Sequence, residues 1–293
     1  MPNTRTTSSV NPDDSSDESD ESSDETEDKL ETFIFNLSIP KSCSVALSFR
    51  KFDYKRNLIS EFNYNQDDLH YTASISKLLI LLSVIDEIDS GTFSLQDKVT
   101  SINPSEKVQG NLTIEQALKK MIESSSNFYS GVSQRLLKGP NDERGINKTI
   151  EIIEKYGFGK GKFWVGAGYD NGPKNSRGLR YNHEAKTSFI ALYYQTLLEG
   201  DFPLSEKMLE LLSKSKINNR FFRALVENNV AQPENIWRKS GSWTGNSTYS
   251  DSVMFKNEQE EYYIIVLLTQ GSSCIQAGSK SWFEELVKDI YNS

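Results

Sequence analysis

The stretch Leu78-Leu79-Ile80-Leu81-Leu82-Ser83-Val84-Ile85 sets seven apolar side chains and one serine in eight consecutive positions, leaving no polar face for solvent. A helix that is apolar on every side has to be enclosed on every side. The run stops at Ser90-Gly91, where glycine supplies the residue that closes a helix. Elements must pack all around such a helix, and 293 residues are ample for the core this demands.

Ser74-Ile75-Ser76-Lys77 opens the run. On a helix, residues three apart share a face, so Ser74 and Lys77 are about one turn from each other. A serine hydroxyl is a poor nucleophile until a neighbouring base takes its proton. At the head of a buried helix, desolvation and the positive end of the dipole both disfavour a charged lysine, which makes Lys77 a candidate base. Two further motifs follow in order. Ser125-Ser126-Asn127 comes after a predicted helix that begins with the capping box Thr113 and Gln116 and runs on through Met121-Ile122. Lys239-Ser240-Gly241 is the only Lys-[Ser/Thr]-Gly in the chain. Ser-x-x-Lys itself occurs four times and Ser-x-Asn three times, so the weight lies in the order and surroundings of the three.

Together the three motifs resemble the S-x-x-K, S-x-N and K-[T/S]-G set of the serine penicillin-recognising enzymes, the class A β-lactamases and penicillin-binding proteins. The resemblance runs from about Cys43 to Tyr291. It implies an α+β fold, in which an antiparallel sheet flanked by helices stands beside an all-α subdomain, with the site between them. Ser250–Phe255 and Tyr262–Leu268 are similar to the last two strands, and Ser281–Ile290 to the closing helix. Position by position, the resemblance makes Ser74 the nucleophile, Lys77 its base and Ser125 the proton relay. Asn127 would orient the substrate, with Lys239, Ser240, Gly241 and Ser242 also in the binding site. Lys239 would meet a substrate carboxylate, Ser240 and Ser242 would offer hydroxyls, and the N–H groups of Ser74 and Ser242 would form an oxyanion hole. The expected activity is that of a serine hydrolase or acyltransferase on a β-lactam or D-Ala-D-Ala-like amide or ester. Two alternatives stay open: a penicillin-binding module that remains acylated, and an intracellular biosynthetic esterase or peptidase.

The chain departs from the family in one place that bears on turnover. Class A β-lactamases carry a loop glutamate that activates the deacylating water. Here the stretch 157–180 holds no Glu, and Asp170 is its only acid. That glycine- and aromatic-rich stretch reads as a surface loop that could cover the cleft. Ser126 stands where the family often has aspartate, a position read as structural.

Charge separates the ends of the chain. Residues 1–30 hold ten Asp/Glu and two Lys/Arg, so the expected domain 31–293 carries 31 of each sign. The acidic tail has almost no apolar residue and is expected to be disordered, solubilising or available to a basic partner. The neutral body gives no case for nucleic-acid binding. With no apolar leader after Met1 and no run long enough to span a bilayer, the chain reads as soluble and cytoplasmic, with no membrane partner. Its expected partner is a small-molecule or peptide substrate. Cys43 and Cys274 require no disulfide, and Cys43 reads as a buried strand residue. No metal or other cofactor is expected. His70 is a candidate for the cleft lining and His183 reads as a solvated residue in the first turn of a helix.

Overall fold

The computed structural model describes residues 30, 32, 39, 41–102, 108, 110–137, 142–158, 183–216, 220–243, 248–271, 274 and 279–291. The expectations for the acidic tail and for Asp170 fall outside these residues. Five strands form one antiparallel sheet: β1 (Ser44–Phe52), β2 (Leu58–Tyr64), β5 (Ile236–Trp243), β6 (Thr248–Lys256) and β7 (Tyr262–Gln270), in the order β2-β1-β7-β6-β5. Two short strands, β3 (His70–Tyr71) and β4 (Glu184–Ala185), pair separately. The α+β architecture expected from the motifs is the one present, with both last strands longer than their apolar cores.

β7 is almost wholly apolar because both of its faces are covered. Ile264, Val266 and Leu268 join a core with the long buried helix α1 (Lys77–Asp89), while Tyr263, Ile265 and Leu267 join a second core on the other face. The second core is closed by Phe221, Ala224 and Leu225 of α8 (Arg220–Glu227) and by Phe283 and Leu286 of α9 (Ser279–Tyr291). Around α1 pack α3 (Ile114–Glu123), α4 (Asn127–Leu136), α5 (Asp142–Lys155) and α6 (Thr187–Glu199), while α7 (Ser205–Ser213) adds to the same core from beside α3 and β5; a short α2 (Val99–Ile102) precedes them. All seven apolar residues from Leu78 to Ile85 are 0% exposed, the enclosure their pattern requires.

The helix signals are realised atom by atom. Beyond α1, Gly91 has φ +76°, and the N–H groups of Gly91 and Thr92 donate to the carbonyls of Ile88 and Glu87. Gln116 N donates to Thr113 Oγ1 (3.2 Å) and Thr113 N to Gln116 Oε1 (3.0 Å), completing the capping box of α3. At its far end, α1 anchors α5 through ion pairs from Lys148 to Glu87 (2.8 Å) and Asp86 (3.6 Å).

The cysteines correct the sequence reading. Cys43 lies one residue before β1 and is joined to Cys274, 231 positions away, just beyond β7. Neighbouring strand ends meet here so closely that a side chain at Gly271 (φ +130°) would collide with the carbonyl oxygen of Ser42. In the chain-entropy account, a cross-link over so long a loop restricts the unfolded chain strongly. Replacing both Cys43 and Cys274 with serine should therefore cost about 2–4 kcal/mol of stability. Urea unfolding of the oxidised, reduced and doubly substituted protein checks this, and coincident curves would show that the bridge contributes nothing.

Candidate active site

Ser74 sits in a single 3-10 turn, Ala73–Ser76, that runs directly into α1. Residues three apart eclipse one another in such a turn, so the expected pairing of Ser74 with Lys77 is made by a tighter helix than anticipated. Two elements hold the turn. On one side β5 passes so close that a side-chain carbon on Gly241 would lie 2.1 Å from Thr72 O, 3.0 Å from Ser74 N and 3.1 Å from Ile75 N. Only a residue without that carbon fits, which is what the glycine of Lys239-Ser240-Gly241 is for. On the other side the carbonyl of His183 accepts from Thr72 N and from Thr72 Oγ1 (2.9 Å), and His183 Nδ1 lies 3.1 Å from Ser76 Oγ.

His183 therefore braces the Ser74 turn. It precedes β4, and the helix begins only at Thr187, so the reading of His183 as a first-turn residue is corrected. No local sequence signal marks it, because its partners lie more than a hundred residues upstream. His70 is corrected as well. It is buried in β3 with Nε2 2.9 Å from Ser44 Oγ and Nδ1 3.3 Å from Asp68 O, contacts that belong to the sheet.

Lys77 gathers the first two motifs. Its Nζ lies within donor reach of Ser74 Oγ (2.6 Å), Ser125 O (2.9 Å), Asn127 Oδ1 (2.9 Å) and Ser125 Oγ (3.2 Å). An ammonium has three N–H groups, so it cannot donate to all four. A carbonyl and an amide oxygen can only accept. In the neutral amine they hold its two N–H groups and leave the lone pair for a hydroxyl, and Ser74 is the closest. Burial, with the charge of Lys239 as the second cause, lowers the Lys77 pKa to about 6. Lys77 is itself 0% exposed.

Lys239 adds the third motif. Its Nζ donates to Ser125 Oγ (2.9 Å) and Ser240 O (2.8 Å), so the Ser125 hydroxyl bridges the two lysines. Burial lowers the Lys239 pKa to about 7, opposed by Asp251, whose own carboxyl burial pushes up to about 6. Ser125 has φ +51°, a region that costs a residue other than glycine about 1–3 kcal/mol. That backbone turns both its carbonyl and its hydroxyl onto Lys77. Ser126 caps α4 by accepting from Tyr129 N (3.3 Å), which explains why serine serves where the family often has aspartate.

Among the described residues β5 is an edge strand, paired only with β6. Ser240 O accepts from Lys239 Nζ, which reaches across to Ser125, so Ser240 presents its backbone to the free edge. Alternation along an antiparallel strand turns Ser242 N–H to the same edge. The Gly241 approach puts Ser74 N against this part of the strand. The fold thus brings together every sequence-predicted site residue: Ser74, Lys77, Ser125, Asn127, Lys239, Ser240, Gly241 and Ser242. Among the described residues no cluster of His, Cys, Asp or Glu could hold a metal ion, and no helix is long and apolar enough to cross a membrane.

A family model described as the beta-lactamase enzyme family matches residues 29–293. No curated protein sequence matches the chain. Among solved structures, a variant of the TLA-1 extended-spectrum beta-lactamase superposes with a TM-score of 0.71 at 15% identity, covering 92% of this chain and 98% of that one. TLA-3 extended-spectrum beta-lactamase gives 0.70 at 14% identity over 92% and 98%. PBP-A gives 0.67 at 14% identity over 90% and 95%, and a PBP-A variant in acyl-enzyme complex with penicillin G gives the same values.

Gly241→Ala should force β5 and the Ser74 turn apart, at a cost of about 1–3 kcal/mol for overpacking. Urea denaturation measures the loss, and a variant with the midpoint of the parent would show that the contact is not restrictive.

Proposed function

The chain belongs to the beta-lactamase enzyme family, and on that premise we propose that it forms an acyl-enzyme at Ser74 with a β-lactam or a D-Ala-D-Ala-like amide or ester. The observation that carries this reading is the 2.6 Å approach of Lys77 Nζ to Ser74 Oγ, with the remaining N–H groups of the amine held by acceptors. Lys77 takes the Ser74 proton as Oγ bonds to the substrate carbonyl carbon. The N–H groups of Ser74 and Ser242 receive the charge that develops on the carbonyl oxygen, where the loss of one donor typically costs about a hundredfold or more. As the carbonyl carbon releases its nitrogen or oxygen, Ser125 Oγ gives that atom a proton and recovers one from Lys77. Asn127 holds Lys77 and orients the acyl side, while Lys239 offers positive charge to a substrate carboxylate. Penicillin G is the natural first probe, because a variant of the similarly folded PBP-A has been captured as its acyl-enzyme.

A second reading concerns lifetime. The stretch 157–180 contains no glutamate to activate a deacylating water, which favours a protein that stays acylated and senses or sequesters its ligand. Intact mass against time after mixing with penicillin G separates the two: rapid loss of the adduct supports a hydrolase and a persistent adduct supports a binding module.

The adduct should map to Ser74 and be absent from Ser74→Ala. Lys77→Ala should slow its formation by about two to four orders of magnitude, the range for losing a general base. Adduct formation on another serine, or unchanged kinetics in Lys77→Ala, would overturn these assignments.

The two lysines also shape the pH dependence. Lys77 must be neutral to accept a proton, so acylation rises as pH passes about 6. Lys239 must be charged to hold a carboxylate, so acylation falls as pH passes about 7. The second-order acylation rate should trace a narrow bell. A rate that climbs without a maximum to about pH 9 would remove the charge of Lys239 from substrate binding.

A further inference from the structure

Ser74 stands directly after Ala73, whose φ is +46°. A side chain holds that left-handed region only where its surroundings enforce it. Ala73 is 6% exposed, and its carbonyl accepts from Ser76 Oγ at 2.7 Å. Downstream the turn is continued by α1, which begins at Lys77. Upstream the chain arrives along β3, which pairs with β4 only through His70 with Ala185 and Tyr71 with Glu184. A ladder that short holds little by itself.

The large sheet supplies a second hold through one side chain. The N–H of Thr72 turns toward the β4 side, where it donates to His183 O. Alternation turns the N–H of Tyr71 the other way. Its acceptor there is a side chain, Gln270 Oε1, 2.8 Å away and 199 positions downstream. Gln270 ends β7 and is paired with Ser44 of β1, whose Oγ lies 2.9 Å from His70 Nε2. Just beyond it, the Cys43–Cys274 bridge fastens the same corner. The anchor is therefore firm, and the backbone it holds leads straight into the strained residue.

We infer that Gln270 is a positioning residue for acylation: by accepting from the Tyr71 N–H it keeps Ala73 left-handed, and so keeps Ser74 Oγ within reach of Lys77 Nζ. The inference rests on the acyl-transfer reading. The quantity at stake is the 2.6 Å approach of those two atoms. A displacement of about 1 Å in a reacting group can cost about a hundredfold in rate. Gln270 acts on backbone three residues before Ser74, so its loss should fall on the chemical step and leave substrate binding alone.

Penicillin G adduct formation, followed by intact mass over a range of concentrations, separates the limiting acylation rate from the half-saturating concentration. Gln270→Met keeps the length of the side chain and removes its amide acceptor. It should lower the limiting rate about ten- to a hundredfold and move the half-saturating concentration by less than about threefold. Gln270→Glu restores an acceptor and should stay within about threefold of the parent rate. Ala73→Gly takes up the left-handed turn without penalty, so in that background Gln270→Met should lose less than about a third as much. Should Gln270→Met alone fail to fold, the doubly substituted protein should still fold and acylate. The inference is overturned if Gln270→Met acylates at the parent rate or loses only in half-saturating concentration. It is equally overturned if Gln270→Glu loses as much as Gln270→Met, if Ala73→Gly leaves the loss unchanged, or if the double variant is unfolded or unreactive. A parent that forms no adduct instead overturns the acyl-transfer reading, and this inference with it.

Discussion

The contact between Gly241 and the turn that carries Ser74 is the constraint around which this molecule is arranged. An edge strand and a helix start meet backbone to backbone, with Thr72 O occupying the space of the missing side chain. Such an approach requires the sheet and the helical layer to be fixed on each other, and α6 fixes them. Tyr193 donates to Leu78 O (3.1 Å) in α1, and its neighbour Tyr194 lies 3.2 Å from Ser252 Oγ in β6. That serine in turn donates to Lys239 O (2.7 Å). A chain of short polar contacts therefore ties the strand bearing the third motif to the helix bearing the first.

Two buried lysines sharing one serine are a costly arrangement. Each amine loses hydration, and the charge of Lys239 further discourages charging of Lys77. Asp251 partly compensates from the other face of the strand, where Phe221 N and Ser252 N donate to its carboxyl oxygens at 3.1 and 3.0 Å. The result is a pair of buried amines that both lose part of their hold on a proton, Lys77 further disfavoured by the charge of Lys239. A left-handed Ser125 adds local strain, and strain of this kind persists only where surrounding contacts over-determine it.

Much of this was legible in the sequence because its signals are local. The apolar run from Leu78 to Ile85 demanded enclosure, Thr113 and Gln116 wrote their own cap, and three short motifs named the side chains that the fold brings together. The residues that escaped notice act over long separations. His183 braces a turn 107 to 111 positions away, and a histidine between an asparagine and a glutamate gives no sign of that. Cys43 and Cys274 are each isolated in the sequence, and only the antiparallel pairing of β1 with β7 brings them together. The 3-10 form of the Ser74 turn was equally hidden, since i to i+3 proximity is common to both helix types.

The placement of β1 beside β7 also bears on how the chain is made. β1 finds β2 a few residues later, but its other edge pairs with a strand roughly 210 residues downstream. At synthesis rates of about 5–20 residues per second, that partner follows about 10–40 s later. Throughout this interval a nascent hairpin presents an open, apolar strand edge, a template for pairing with the wrong chain. Once β7 arrives and Cys274 reaches Cys43, that edge is closed and covalently fastened. The strand that covers this edge of β1 is thus made long after the edge itself.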